Sequence, residues 1–156
     1  MIQAAFDSGD SNWQVSALFA MGRSYNEEWA PTVLSMLADD RVAVRAEAAE
    51  AAGELEMTDA RQPLLEMLAD PDENVRAAAI WSLSQIGGDE VGERLKALLE
   101  ETEDEDETDL IEQALENLEF SEEFNFEFLD LESSKDLDEF DEDDLLPGIS
   151  DNGRRN

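Results

Sequence analysis

The chain has 156 residues, 42% of them hydrophobic, with no cysteine, no histidine and a formal net charge of −32. These values suit one packed domain with an appendage, and they exclude a disulfide framework and thiolate or imidazole chemistry. Nucleic acid and anionic membrane surfaces are not expected partners, because contacts to phosphate need clustered Lys and Arg.

The charge is uneven. Residues 1–100 carry 7 basic and 19 acidic groups (net −12), and residues 101–156 carry 3 and 23 (net −20). No run of 18 apolar residues and no signal-peptide pattern occurs. With the missing cysteine, this points to a soluble, cytoplasmic, monomeric chain with no membrane span.

A period of 31 residues organises the first two thirds. DDRVAVRAEAAEAAGEL aligns with DPDENVRAAAIWSLSQI, placing Asp39 over Asp70, Arg45 over Arg76 and Ala48 over Ala79. Such self-similarity marks a repeat architecture. Taken in order, residues 1–8 match the second helix of a repeat whose first helix is missing, since Phe6 falls over Leu37. A fragment of a longer solenoid is the expectation. Asp10 to Asn12 then offer cap chemistry, and Gln14 stands where Arg45 and Arg76 do.

Three helix pairs are expected next, at 11–24 with 28–38, 41–55 with 59–69, and 72–86 with 89–100. Val75, Ala79, Leu83 and Ile86 share one face at helical spacing. Asp70 as N-cap, Pro71 at the first helical position and Glu73 three residues on mark a helix start. Ala48, Ala49, Ala51 and Ala52 with Gly53 imply close helix approach. Ser84 stands where Gly22 and Gly53 do, so a slightly wider crossing is expected in the third pair.

Residues 100–107, EETEDEDE, are expected to interrupt helix. Thr108 then caps one closing helix with Ile111, Leu115 and Leu118 on its apolar face. Beyond it lies the tail, residues 120–156. Phe124, Phe126 and Phe128 alternate with polar residues, a pattern for an extended segment. The acidic remainder, with Leu137, Phe140, Leu145 and Leu146, is expected to be mostly disordered alone.

An Asp six residues before an Arg, then V-R-x-A-A and a second helix of P-L-L-x-x-L type, resembles the HEAT repeat, specifically the short phycobilisome-lyase-like form. The resemblance covers residues 1–119 and implies an all-α solenoid. It also implies a ladder of Asp39, Asp70, Arg45 and Arg76 between repeats, which Gln14 leaves short at one end and Glu101 and Glu107 at the other. Partner binding is the family's commonest use, on a surface that here would include Thr32, Ser35, Arg61, Gln62, Glu66, Arg94 and Lys96. The His-Glu ligand pairs of the di-iron HEAT enzymes are absent.

For chemistry, Glu47, Glu50 and Glu54 share a helix face and read as solvated rather than catalytic. No metal or cofactor site is expected; Asp141 to Asp144 attract only diffuse counterions. Trp13 and Trp29 take core positions, held elsewhere by Val44 and Ala60. Trp81 replaces Glu50 and Phe19, a position that must reach solvent, so Phe19 and Trp81 read as a partner-contact patch. The expected function is a non-catalytic scaffold for a protein partner, with a basic surface as one option, engaged through the solenoid or through Phe124, Phe126, Phe128 and the acidic tail. The alternative implied by the resemblance is a component of a bilin lyase acting on a protein client.

Overall fold

The structure, a computed structural model, describes residues 1–135, with side chains described through residue 126. Among these residues there are eight α-helices: α1 (Ile2–Asp7), α2 (Ser11–Arg23), α3 (Ala30–Met36), α4 (Val42–Glu54), α5 (Arg61–Met67), α6 (Glu73–Ile86), α7 (Asp89–Glu101) and α8 (Glu105–Lys135). The first of two compact units is Met1–Phe120, and the second begins at Ser121. The fold class is all-α, built of packed helix pairs, as the period implies.

Within the first unit, α2, α4 and α6 form a row of first helices, each joined to the helix after it by one repeated device. Each is followed by a turn with positive φ at the same repeat position: Tyr25 (φ 51), Glu56 (φ 48) and Gly87 (φ 67). At Gly87 the ψ of −171 completes a conformation that essentially only glycine takes. The second helices open with a 3-10 turn, Glu27–Trp29 before α3 and Thr58–Ala60 before α5. Pro31 and Pro63 then sit in the first turn, where a missing N–H costs nothing. The expected single helices over 28–38 and 59–69 are therefore each split in two.

One continuous core runs through the pairs. Leu18, Met21, Val44, Ala48, Val75, Ala79 and Leu83 from the first helices meet Val33, Leu64, Leu65, Val91 and Leu95 from the second, and Ile111 of α8 closes it. Burying side chains of this size stabilises by about 1.5–3 kcal/mol each for the larger aliphatics.

Four local expectations are corrected. The cap of α6 is Asp72, whose carboxylate accepts from the amides of Asn74 and Val75, and not Asp70. Trp13 is not core: it is 60% exposed where Val44 and Val75 are fully buried. Helix α8 starts inside the acidic block, at Glu105, with Asp104 accepting from the amides of Asp106 and Glu107. Carboxylates in a first turn are favoured by the positive end of the helix, so the block that should break a helix begins one.

The fourth correction concerns Phe124 and Phe126. They lie in α8, not in an extended segment. Phe120, Phe124 and Phe128 are also spaced by four, and over so few residues that helical period outweighs the alternation. The side chain of Phe128, and the tail from residue 136 with Leu137, Phe140, Leu145 and Leu146, lie outside the described residues.

Candidate functional site

The repeat residues of highest charge are engaged between repeats. Arg45 donates from Nε to Asp70 Oδ2 (3.0 Å) and from Nη2 to Asp70 Oδ1 (3.2 Å), while Nη1 donates to the carbonyls of Asp39 (2.9 Å) and Asp40 (3.1 Å). The guanidinium fork is thus filled by the loop before its own helix and by the loop of the next repeat. Burial opposes ionisation of Asp70, but the Arg45 hydrogen bonds, the Asp72 amide and the charges of Arg45 and Arg76 outweigh it and hold the carboxyl below its ordinary range.

Arg76 repeats the arrangement with a different acid. Its Nη1 donates to the Asp70 carbonyl (3.0 Å), and its Nε donates to Glu107 Oε1 (2.6 Å). Thr102 donates to the other Glu107 oxygen at 2.6 Å. The expectation that the ladder ends before Glu107 is corrected: Glu107 supplies the acid of a further rung, from the first turn of α8. The Asp expected of a rung would stand at Glu101, which is exposed at the end of α7.

Asp39 departs from the ladder in the other direction. Its carboxylate takes a two-pronged bond from Arg41, Nε to Oδ1 at 2.8 Å and Nη2 to Oδ2 at 2.9 Å, and no repeat arginine reaches it. Hydrogen bonds from the Arg41 side chain and amide push Asp39 down to about 2. Gln14, at the arginine position of the preceding repeat, donates to the Phe6 carbonyl at 3.0 Å, and its buried Oε1 accepts no hydrogen bond.

The residues expected to meet a partner separate into two kinds. Arg61 is structural, which corrects its assignment to an outward surface: half-buried, it donates from Nε to the Gly87 carbonyl at 2.7 Å and ties α5 to the turn after α6. Arg94 and Lys96 are exposed on α7, as are Gln62 and Glu66 on α5. Phe19 is 52% exposed with the Arg23 guanidinium 5.1 Å over its ring. Trp81 is half-buried, and Phe124 and Phe126 are exposed on α8.

Glu47 of α4 differs from the solvated carboxylate expected. Half-buried, it is pushed up to about 7 by burial and by the charge of Glu50 one turn on.

The three seams of the first-helix row are unequal. A Cβ on Gly22 would lie 2.9 Å from Ala51 Cα, and one on Gly53 would lie 2.8 Å from Ser82 Cα. These distances are below ordinary contact, so the α2–α4 and α4–α6 seams are closed. Ser82 Oγ also donates across to the Ala49 carbonyl at 2.6 Å. At the α6–α8 seam the equivalent residues are Ser84 and Gln113. Here a surface groove opens in two connected stretches of about 410 and 310 Å³ that share Leu110 and Gln113. The groove depends on helix separation, so only the change from glycine to Ser84 foreshadowed it.

Among the described residues no group of three or more acids is placed to hold a metal ion, and no helix is long and apolar enough to cross a membrane. No curated protein matches the chain. The model of the HEAT repeats matches it twice, over residues 1–72 and 30–116. Taken with the stacked pairs and the shared core, these matches show that the chain belongs to the HEAT-repeat family.

Proposed function

We propose that this protein is a non-catalytic adaptor that binds a protein partner. HEAT repeats are typically protein-interaction scaffolds, and that general role is the starting point. The observation that carries the reading is the division of labour among its side chains. The charged residues that recur with the repeat, Arg45, Asp70, Arg76 and Glu107, are consumed in holding repeats together. Large aromatic side chains are left at the surface of a strongly acidic chain: Trp13, Phe19 and Tyr25 stand 60%, 52% and 77% exposed, and Phe124 and Phe126 of α8 stand 62% and 74% exposed. Exposed aromatics on a chain of high negative charge suit a partner that offers apolar contact within a basic surface.

The phycobilisome-lyase-like subtype is favoured by the Asp to Arg spacing, and with it a bilin lyase component as a second reading. A bilin whose absorbance shifts on addition of the protein would select that reading, and an unchanged spectrum would leave the adaptor.

Affinity capture from an extract of the source organism tests the adaptor reading, comparing residues 1–156 with a chain ending at Glu119, at low and moderate salt. Partners kept by the shorter chain place binding on the helix pairs. Partners lost with the tail and released by salt place it on the acidic segment. Capture of nothing by either chain removes the reading.

A further inference from the structure

The groove at the α6–α8 seam has two helical walls and a change of charge along its length. Its walls are α6 and the first turns of α8, all within Met1–Phe120. At the end formed by the helix starts stand Glu73, Asp104, Asp106 and Asp109, around a single guanidinium, Arg76, that is already paired with Glu107. In the middle Ala77, Leu110 and Gln113 lead to Trp81 and Ala114, and the far end is neutral, with Ser84, Gln85 and Asn117. Four carboxylates therefore gather around one paired cation at one end, and an aromatic ring follows.

The walls limit what can lie there. Both are helices with their backbone hydrogen bonds made internally, so they offer an incoming chain no ladder to join. An occupant must satisfy its own backbone, and a helix does so. From Asp106 to Gln113 and on to Ala114 the wall rises by roughly 12 Å, at 1.5 Å per residue, which is about two turns of a helix laid alongside. A second copy would bring another −32 of charge to this mouth.

We infer that the α6–α8 groove receives an amphipathic helix of a protein partner, with Lys or Arg at Glu73, Asp106 and Asp109 and an apolar side chain over Trp81 and Leu110. This rests on the adaptor reading and deepens it by naming the surface and the chemistry of the partner. Steering by the acidic mouth sets the orientation, and burial against Trp81 supplies the hold.

The test uses the full chain, labelled with nitrogen-15, and a synthetic 14-residue amphipathic helix of Leu and Lys with its Lys residues gathered at one end. Trp13, Trp29 and Trp81 give three indole N–H signals, assigned by single Trp→Phe replacements. The expected result is saturable movement of the Trp81 signal while the Trp13 and Trp29 signals stay. Asp106→Asn with Asp109→Asn should weaken binding by about fivefold or more, as loss of steering charges does. A peptide with Ser for Leu should bind about tenfold more weakly, having lost its buried anchors. Unchanged circular dichroism of the Asn variant shows that it is folded.

Binding that leaves Trp81 unmoved, or that ignores the two Asn substitutions, overturns the groove and points to plain attraction by the acidic chain. A Trp81 signal that moves with protein concentration alone assigns the groove to a second copy and also overturns the inference. A partner captured from extract that still binds the Asn variant leaves the adaptor reading standing and removes this groove from it.

Discussion

The α4–α6 seam and the α6–α8 seam use the same repeat positions for opposite ends. At the first, Gly53 lets the Ser82 backbone come so close that a methyl group would not fit, and Arg45 clamps Asp70 with both prongs. At the second, Ser84 and Gln113 stand in those places, Arg76 holds Glu107 through one nitrogen, and a groove remains. Identical topology thus yields a sealed joint or a recess according to two side chains. Bulk at the crossing point decides which.

Substitutions that reverse that bulk should show it most. Gly53→Ala forces a Cβ against the Ser82 main chain and should cost about 2–3 kcal/mol in urea denaturation, the range of an overpacked core. Ser84→Ala, in the open seam, should change stability by less than about 0.5 kcal/mol. Equal costs at the two positions would erase the distinction between the seams.

The clamps sharpen the same contrast. Arg45→Ala strands Asp70 and two loop carbonyls, and a loss of about 2–3 kcal/mol is expected for a partly buried charge left alone. Arg76→Ala should cost less, about 1–2 kcal/mol, because Arg76 holds its acid through one nitrogen where Arg45 uses two. A melt followed by circular dichroism measures both.

Acid titration separates the clamped carboxylates from Glu47. Asp39, Asp70 and Glu107 are held below their ordinary range, so the stability they contribute is present above about pH 4 and is lost as pH falls through their folded values. Glu47 runs the other way. With its folded value at about 7, it binds its proton more tightly folded than unfolded, so stability rises as pH falls from about 7 towards 4.5. Maximum stability is expected near pH 5. Glu47→Gln should abolish the neutral limb and raise stability at pH 8 by about 1 kcal/mol, after discounting for its partial exposure.

A small gain is expected at the turns. Glu56→Gly relieves a positive φ that a side chain resists, for a gain of about 0.5 kcal/mol against the greater entropy of unfolded glycine.

How much of this was legible followed the physics of each contact. The pairs, the core face and the Asp70 and Arg45 positions repeat at a fixed period, and periodicity is what a sequence displays. Arg61 was misplaced because its acceptor is a main-chain carbonyl, that of Gly87, which every residue possesses and none advertises. Glu107 was misread because alignment set it against an arginine, whereas its reach from α8 made it an acid of the next rung. Asp70 and Asp72 offered equivalent cap chemistry two residues apart, and the demand of Arg45 on Asp70 left the cap to Asp72. The groove was nearly invisible, since no local pattern encodes the separation of two helices.

The unfilled position at Gln14 gives the molecule a direction. Where Arg45 and Arg76 each bind forward to an acid of the following repeat, Gln14 binds back to Phe6 and leaves Asp39 to Arg41. Nearest-neighbour coupling in a repeat array propagates through such links, and a missing link is where an array parts first. Amide hydrogens of α1 and α2 should therefore exchange ahead of those in α4 and α6. A protease that samples transient openings should enter between Leu37 and Arg41, where the linked part of the array begins, so that the protein unzips from one end and keeps its grooved end intact the longest.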